Sequence, residues 1–105
     1  MNQYQIVIVN LDPTIGSEIK KTRPCIIISP NEMNESLKTI IIAPITSTPK
    51  KYPTRIKISA GTVKGMLALD QLRTIDKKRI VKIEKKVSVK TVIKIKEVLE
   101  EMLIK

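Results

Sequence analysis

Short apolar segments rich in isoleucine and valine recur along the chain, separated by polar stretches that contain proline or glycine. Both residue types favour strands because their branched side chains fit the pleated surface of a sheet. One segment alternates Arg55 and Lys57 with Ile56 and Ile58, which is the pattern of a strand with one buried face. These patterns predict six short strands, at residues 4–9, 25–29, 38–45, 53–59, 66–70 and 80–87.

Polar segments between the predicted strands indicate where the chain turns. Residues 12–24 contain Gly16 and two prolines, so we expect a loop, and a loop of this length in a small domain is more often functional than not. Residues 30–34 predict a turn with a short helical piece, and residues 76–79 predict a short helical turn before the last strand. Residues 61–65 predict the turn that leads into the fifth strand.

From Ser88 onward the apolar residues follow helical spacing. Ser88 is a suitable N-cap because its hydroxyl can accept a hydrogen bond from a free backbone N–H of the first turn. The predicted inner face contains Val89, Val92, Ile93, Lys96, Leu99, Met102 and Leu103. Short strands followed by one amphipathic helix predict a mainly β (α+β) protein, in which the helix plugs a small, strongly bent sheet or partial barrel. The 105 residues suit one such domain, spanning 1–105.

Basic residues outnumber acidic ones by twenty to ten, which gives a formal net charge of +10. A positive field of this size attracts polyanions and favours a nucleic-acid partner, although a solvated lysine-rich surface gives the same charge. No apolar run approaches the roughly 18–20 residues of a membrane span. The N-terminal residues lack the basic lead and the cleavage site of a secretory signal. We therefore expect a soluble, cytoplasmic protein with no membrane partner.

The chain has no histidine, no tryptophan and no phenylalanine, and it has one cysteine. The lack of histidine excludes two-histidine ribonuclease chemistry and histidine-ligated metal sites, and Asp70 and Asp76 do not form a metal-binding pair on spacing alone. Cys25 lies in an apolar run and is expected to be buried and reduced rather than nucleophilic. With two tyrosines as the only aromatic residues, an extensive platform for stacking bases is excluded. We expect no metal and no cofactor.

Three segments together resemble the MazF/PemK (Kid) toxins, the ribonucleases of bacterial toxin–antitoxin modules. Residues 10–29 read NLDPTIGSEIKKTRPCIIIS, residues 42–48 read IAPITST and residues 69–79 read LDQLRTIDKKR, in the order found in that family. Two positions differ from the usual pattern: Tyr4-Gln5 replaces a Gly-Asp pair, and Lys21-Thr22 replaces a Gly-Gly pair. The resemblance implies a small SH3-like partial barrel of five to seven short strands with a C-terminal amphipathic helix.

The resemblance implies that Arg23 and Thr46 are the catalytic pair. Arg23 carries a permanent charge and five donors, which suit bidentate contact with a phosphate. Thr46 ends a buried strand, so its hydroxyl is placed to donate to a phosphate oxygen, although a hydroxyl there can also bond the local backbone. Glu18 and Asp70 are supporting residues or candidate bases. A carboxylate beside Arg23 has a lowered pKa, so Glu18 suits an ion pair that holds the arginine as well as it suits a base.

Four further residues are expected to bind RNA or to shape the site. Gln71 and Arg73 leave a buried strand together, in a segment that helps to form the substrate groove in similar proteins. Ser47 follows Thr46 in the second segment. Ser17 stands where some relatives carry histidine, and we expect it to contact RNA or to have a structural role.

The resulting hypothesis is a metal-independent endoribonuclease that cleaves single-stranded RNA at a short sequence by attack of the 2′-hydroxyl. The resemblance implies 2′,3′-cyclic phosphate and 5′-hydroxyl products, growth arrest through lost translation, a homodimer with RNA in its interface groove, and an antitoxin whose acidic tail fills that groove. Two alternatives remain open. One is a non-catalytic toxin of the same fold that binds a protein such as gyrase, as the CcdB toxins do. The other is an inactive RNA-binding barrel.

Overall fold

The computed structural model describes residues 1–11, 22–48 and 52–104. Short 3₁₀ turns occupy Leu69–Gln71 and Lys77–Arg79, and a π-helical turn over Glu100–Ile104 continues the last helix. No helix in the described ranges is long and apolar enough to cross a membrane. The strands and helices in chain order are β1 (Gln5–Asn10), β2 (Thr22–Ile27), α1 (Asn31–Ser36), β3 (Thr39–Thr46), β4 (Arg55–Ala60), β5 (Val63–Ala68), β6 (Arg73–Asp76), β7 (Ile80–Lys86) and α2 (Val89–Leu99).

Strand β3 organises the sheet because it is paired along both of its edges. Strand β2 pairs with one edge, and the other edge is divided between β6, which covers the first half of β3, and β5, which pairs with Ile45 and Thr46. The described strands follow the order β4-β5-β3-β2-β1-β7, with β6 beside β3, and every recorded pair is antiparallel. The sheet therefore curls into a half-barrel, which confirms the predicted mainly β architecture.

Buried side chains form two apolar clusters on the two faces of this sheet. Successive residues of a strand point to opposite faces, so Ile26 of β2 belongs to one cluster and Cys25 and Ile27 belong to the other. The first cluster includes Ile95 of α2. The second contains Val7, Val9, Cys25, Ile27, Ile40, Ile42 and Ile75. Each fully buried isoleucine stabilises the fold by about 1.5–3 kcal/mol relative to its exposed state.

Helix α2 begins at the predicted N-cap, because the Ser88 hydroxyl accepts a hydrogen bond from the backbone N–H of Thr91 at 3.3 Å. The predicted inner face is partly wrong. Of the predicted face, Val89, Ile93, Lys96 and Leu103 are exposed, whereas Ile95, which was not assigned to that face, is fully buried. Apolar residues cover more than one stripe of this helix, so spacing alone fits two rotations of it, and contact with the sheet selects the rotation that buries Ile95.

The structure corrects the predicted elements at four main places. Strand β2 begins at Thr22, inside the predicted loop, because residues 22–24 pair with the end of β1 despite Pro24. Strand β5 runs over Val63–Ala68 rather than 66–70, and Leu69–Gln71 forms a 3₁₀ turn. Strand β6 was not predicted; it buries Ile75 alone and forms because its backbone pairs with β3. The helical piece after Pro30 is longer than predicted and forms α1.

Candidate active site

A cleft of about 280 Å³ opens where the polar end of β3 meets the neighbouring elements. It receives side chains from β2, β3, β4 and the 3₁₀ turn after β5, together with residues between β3 and β4. Its volume lies near the lower end of the roughly 300–1,000 Å³ typical of ligand pockets. The lining residues are Arg23, Thr46, Thr48, Tyr52, Arg55 and Gln71.

Arg23 and Thr46 lie on adjacent strands at the same end of the sheet. The antiparallel register that sets Cys25 opposite Pro44 places Arg23 opposite Thr46 when it is continued by two residues. Arg23 also shares a face of β2 with Cys25, since the two are separated by one residue. The face that carries the second apolar cluster therefore ends in an arginine and a threonine.

The Thr46 hydroxyl has no hydrogen-bond partner among the described residues, although it is buried. The other buried polar residues differ in this respect. Ser29 donates to the Asn34 side-chain oxygen at 2.5 Å, and Asn34 donates back to the Ser29 carbonyl at 3.0 Å. An unpaired buried polar group costs about 1–3 kcal/mol, so such groups are rare in folded proteins. Thr46 thus presents an unused donor to the cleft.

At Gly65, β5 approaches the backbone of Thr46 so closely that a larger residue would collide with it. A Cβ atom on Gly65 would lie 2.5 Å from the Thr46 carbonyl oxygen and 2.9 Å from Cγ2 of Ile45. Strand β5 therefore approaches β3 closely at the position of the candidate catalytic threonine. This approach fixes where the Thr46 side chain leaves the sheet.

Arg55 and Asp70 form a two-point ion pair at the edge of the cleft. Arg55 donates from Nε to Oδ1 of Asp70 at 3.1 Å and from Nη2 to Oδ2 at 3.3 Å. The Thr54 hydroxyl donates to the same Oδ1 at 3.0 Å, and the guanidinium carbon lies 5.3 Å from the centre of the Tyr52 ring. The hydrogen bond from Arg55 is the main reason that the pKa of Asp70 lies below its ordinary value.

Cys25 is buried in the second apolar cluster, as predicted. Burial raises the pKa of its thiol to about 12, against the opposing effect of the positive charges of Arg23 and Arg73. Both guanidinium groups therefore act on the same end of this cluster. Such a thiol is protonated at neutral pH and unsuited to nucleophilic attack.

The cleft brings together three of the residues selected from the sequence, namely Arg23, Thr46 and Gln71. Asp70 lies beside the cleft, bound to Arg55. Arg73 lies on β6 opposite Ile42, and it is exposed.

Of the three selected serine and glutamate residues, Ser47 lies in the described part of the chain, and it does not line this cleft. Ser47 lines a different cleft of about 340 Å³, with Lys57 and Lys64 among its lining residues. Ser17 and Glu18 lie outside the described residues, as do residues 12–21 of the loop predicted over residues 12–24.

Three cleft residues were not selected from the sequence: Thr48, Tyr52 and Arg55. Thr48 is the last residue of the second family segment, which was a usable signal. Arg55 alternates with apolar residues in the same way as the exposed Lys57, so the pattern could not separate a cleft arginine from a solvated cation.

The carboxylate and cysteine side chains do not converge on a common point in the described part of the chain. No three of them there form a group that could hold a metal ion. The polar groups that do converge in the cleft are guanidinium, hydroxyl and amide groups. Their chemistry is that of hydrogen-bond donation to an anion.

Comparison with known proteins gives the same fold in several toxins. The structure superimposes with a TM-score of 0.84 on an endoribonuclease from a mycobacterial species in complex with its cognate antitoxin, at 20% identity over 98% of this chain and 94% of that chain. It superimposes with a TM-score of 0.81 on MazF from Deinococcus radiodurans, at 24% identity over 98% and 96% of the two chains. At these identities the likeness concerns the fold.

Sequence similarity extends beyond the fold. The chain is 33% identical over 86 residues to a protein of Staphylococcus saprophyticus named Endoribonuclease MazF, which covers 76% of this chain and 72% of the relative. Residues 2–103 match the family described as PemK-like, MazF-like toxins of type II toxin–antitoxin systems. A match over this much of the sequence decides membership, and the chain belongs to the PemK-like, MazF-like toxin family.

Proposed function

We propose that this toxin-family protein is a metal-independent endoribonuclease that cleaves single-stranded RNA at a short sequence and thereby halts translation and growth. The observation that carries the proposal is the buried Thr46 hydroxyl, which has no partner among the described residues and lines one cleft with Arg23. A non-bridging phosphate oxygen of RNA would supply the missing acceptor. The relative named Endoribonuclease MazF supports the same reaction class.

The chemistry needs no group beyond those of the protein and the RNA. The 2′-oxygen forms a bond to its neighbouring phosphorus, and the bond from that phosphorus to the 5′-oxygen breaks. The 2′-hydroxyl loses one proton and the leaving 5′-oxygen gains one. The products are a 2′,3′-cyclic phosphate and a 5′-hydroxyl. Negative charge builds on the non-bridging oxygens in the transition state, where Arg23 contributes charge and paired donors and Thr46 contributes a fixed hydroxyl.

The proton of the 2′-hydroxyl requires an acceptor, for which the sequence offers Glu18 and Asp70. Arg55 and Thr54 bind both oxygens of Asp70, and its lowered pKa makes it a weaker base. These contacts favour Glu18 as the base and assign Asp70 a supporting role. Gln71 and Arg73 are proposed to contact or orient the RNA beside the reacting phosphate, and Ser17 and Ser47 to contact it further along.

The proposed setting is that of a cytoplasmic homodimer controlled by an antitoxin with an acidic tail. Solved structures of similar fold include a mycobacterial endoribonuclease with its cognate antitoxin and MazE–MazF from Deinococcus radiodurans. The net charge of +10 complements an acidic inhibitor and speeds its encounter with the toxin.

The test is incubation of the purified protein with long single-stranded RNA in excess EDTA. The variants are Arg23→Ala, Arg23→Lys and Thr46→Val, with Thr74→Val on the exposed face of β6 as a matched control. We expect the wild type and the control to cleave RNA. Thr46→Val should lower the cleavage rate by about 100- to 1,000-fold, because it lacks the hydroxyl donor. Intact RNA with the wild type under all conditions would contradict the endoribonuclease proposal and leave both alternatives, the CcdB-like toxin and the inactive RNA-binding barrel. Cleavage abolished by EDTA would contradict metal independence.

A further inference from the structure

The cleft contains a second guanidinium group, that of Arg55, beside Arg23. Among the described residues, Asp70 is the carboxylate that contacts Arg55, so Arg23, Arg55 and Asp70 together contribute two positive charges and one negative charge. Two like charges that face the same cleft repel each other, and an anionic ligand between them relieves that repulsion. The expected ligand is therefore anionic.

Contacts on several sides hold Arg55 in place. Its side chain is 9% exposed, it forms two hydrogen bonds to Asp70, and it lies over the ring of Tyr52. The Thr54 hydroxyl in turn anchors Asp70. A guanidinium held in this way loses little further conformational freedom when a ligand binds.

One edge of the Arg55 guanidinium remains available for a ligand. Asp70 occupies the edge formed by Nε and Nη2. The edge formed by Nη1 and the second hydrogen of Nη2 has no recorded partner among the described residues. A guanidinium can bind one carboxylate or phosphate along each edge, with two parallel hydrogen bonds to each.

We propose that Arg55 binds a phosphate of the RNA chain next to the one that is cleaved, and that Asp70 acts as its positioning residue. This inference rests on the proposed function, because it divides the cleft between two phosphates of one RNA. Arg23 and Thr46 hold the reacting phosphate, and Arg55 holds a neighbouring one. Asp70 is then a residue that aims an arginine, and it does not take the proton of the 2′-hydroxyl.

The experiment measures kcat, KM and binding for Arg55→Gln, Arg55→Lys, Asp70→Asn and the double variant Arg55→Gln/Asp70→Asn. Lys94→Gln is the matched control, because it removes one positive charge from an exposed position of α2 that lines neither of the two clefts. Binding is measured by fluorescence anisotropy with a 2′-O-methyl RNA, which cannot be cleaved by 2′-hydroxyl attack. Thermal unfolding of each variant verifies that it is folded.

Both Arg55 variants are expected to raise KM and the dissociation constant by about 10-fold, because lysine keeps the charge but not the paired donors. Turnover at saturation should change less than about threefold, and the slope of binding against salt should fall by about 1 for Arg55→Gln. Asp70→Asn should weaken binding in the wild type and have no further effect in the Arg55→Gln background, since it acts through that arginine.

Two results would overturn the inference while leaving the proposed function intact: wild-type binding by Arg55→Lys, or an equal effect of Asp70→Asn with and without Arg55. Loss of turnover with unchanged KM in Arg55→Gln would also overturn it, because it would place Arg55 at the reacting phosphate. Failure of the wild type to cleave RNA contradicts the proposed function. The anisotropy measurements still test Arg55 in that case.

Discussion

Arg23 and Thr46 lie on neighbouring antiparallel strands and line the same cleft, at the point where a buried face of the sheet becomes polar. Their placement depends on the pairing of β2 with β3. The same two strands contribute residues to the apolar cluster that contains Cys25. A rigid cluster behind the two side chains provides the preorganisation that charge stabilisation requires. The apolar core of this protein is thus also the support of its candidate active site.

Replacing the Thr46 hydroxyl is expected to separate activity from stability. Thr46→Val keeps the shape of the side chain and removes a buried donor that has no partner among the described residues. The free energy of unfolding should stay the same or rise by up to about 1 kcal/mol, because an unpaired polar group is removed. Urea denaturation measures this change, and a loss of stability would indicate a hydrogen bond to Thr46 that the described residues do not provide.

Adding a methyl group at Gly65 is expected to disturb Thr46. The new Cβ would collide with the Thr46 carbonyl oxygen at 2.5 Å, so β3 or β5 must shift. We expect Gly65→Ala to destabilise the fold by about 1–3 kcal/mol and to lower kcat of the folded protein.

Gly61→Ala is the matched control for this variant. Gly61 has a φ of 61°, and the nearest atom to its added Cβ is Cε of Lys85 at 3.9 Å. The substitution introduces backbone strain of about 1–2 kcal/mol without contact with Thr46. It should lower stability and leave kcat of the folded protein unchanged. Equal kcat values for both glycine variants would show that β5 does not position the threonine.

The Asp70 carboxylate should titrate below its ordinary pKa of 3.8 as long as Arg55 is present. A lowered pKa in the folded state contributes stability above the unfolded-state pKa, and this contribution disappears as the pH falls through the folded-state pKa. The contribution is small because the pair is partly exposed. Side-chain NMR titration should find that Arg55→Gln moves the pKa of Asp70 upward. An unchanged pKa would disprove the dominant role of this arginine.

The Cys25 thiol is expected to resist alkylation in the native protein. Burial raises its pKa to about 12, so at pH 8 only roughly one thiol in 10⁴ is ionised, and the side chain is also inaccessible. Iodoacetamide labelling followed by mass spectrometry should be at least about 100-fold slower than in urea. Equal rates in the two conditions would mean that this part of the core opens readily.

The sequence predicted the elements whose signal is local. The strands around Val7, Cys25 and Ile42 were predicted from runs of branched apolar residues, and the start of α2 from Ser88. Strand β6 was missed because most of its residues are polar, and its backbone is held by pairing with β3, which is distant in sequence.

The same distinction between local and distant signals applies to the residues of the candidate site. Arg23, Thr46 and Gln71 were selected because each belongs to a segment that resembles the toxin family, and the cleft contains all three. Arg55 was missed because its significance depends on Asp70, fifteen positions away along the chain. Contacts between distant residues, rather than local patterns, distinguish this arginine from the many surface cations.

The attack of the 2′-hydroxyl is tested most directly with an RNA in which the nucleotide before the cleaved bond carries a single 2′-deoxy substitution. We expect the wild-type protein in EDTA to cleave the unmodified RNA to 2′,3′-cyclic phosphate and 5′-hydroxyl ends. The substituted bond should stay intact, and Arg23→Ala should cleave neither RNA. Cleavage of the 2′-deoxy bond, or the appearance of 5′-phosphate ends, would contradict this mechanism.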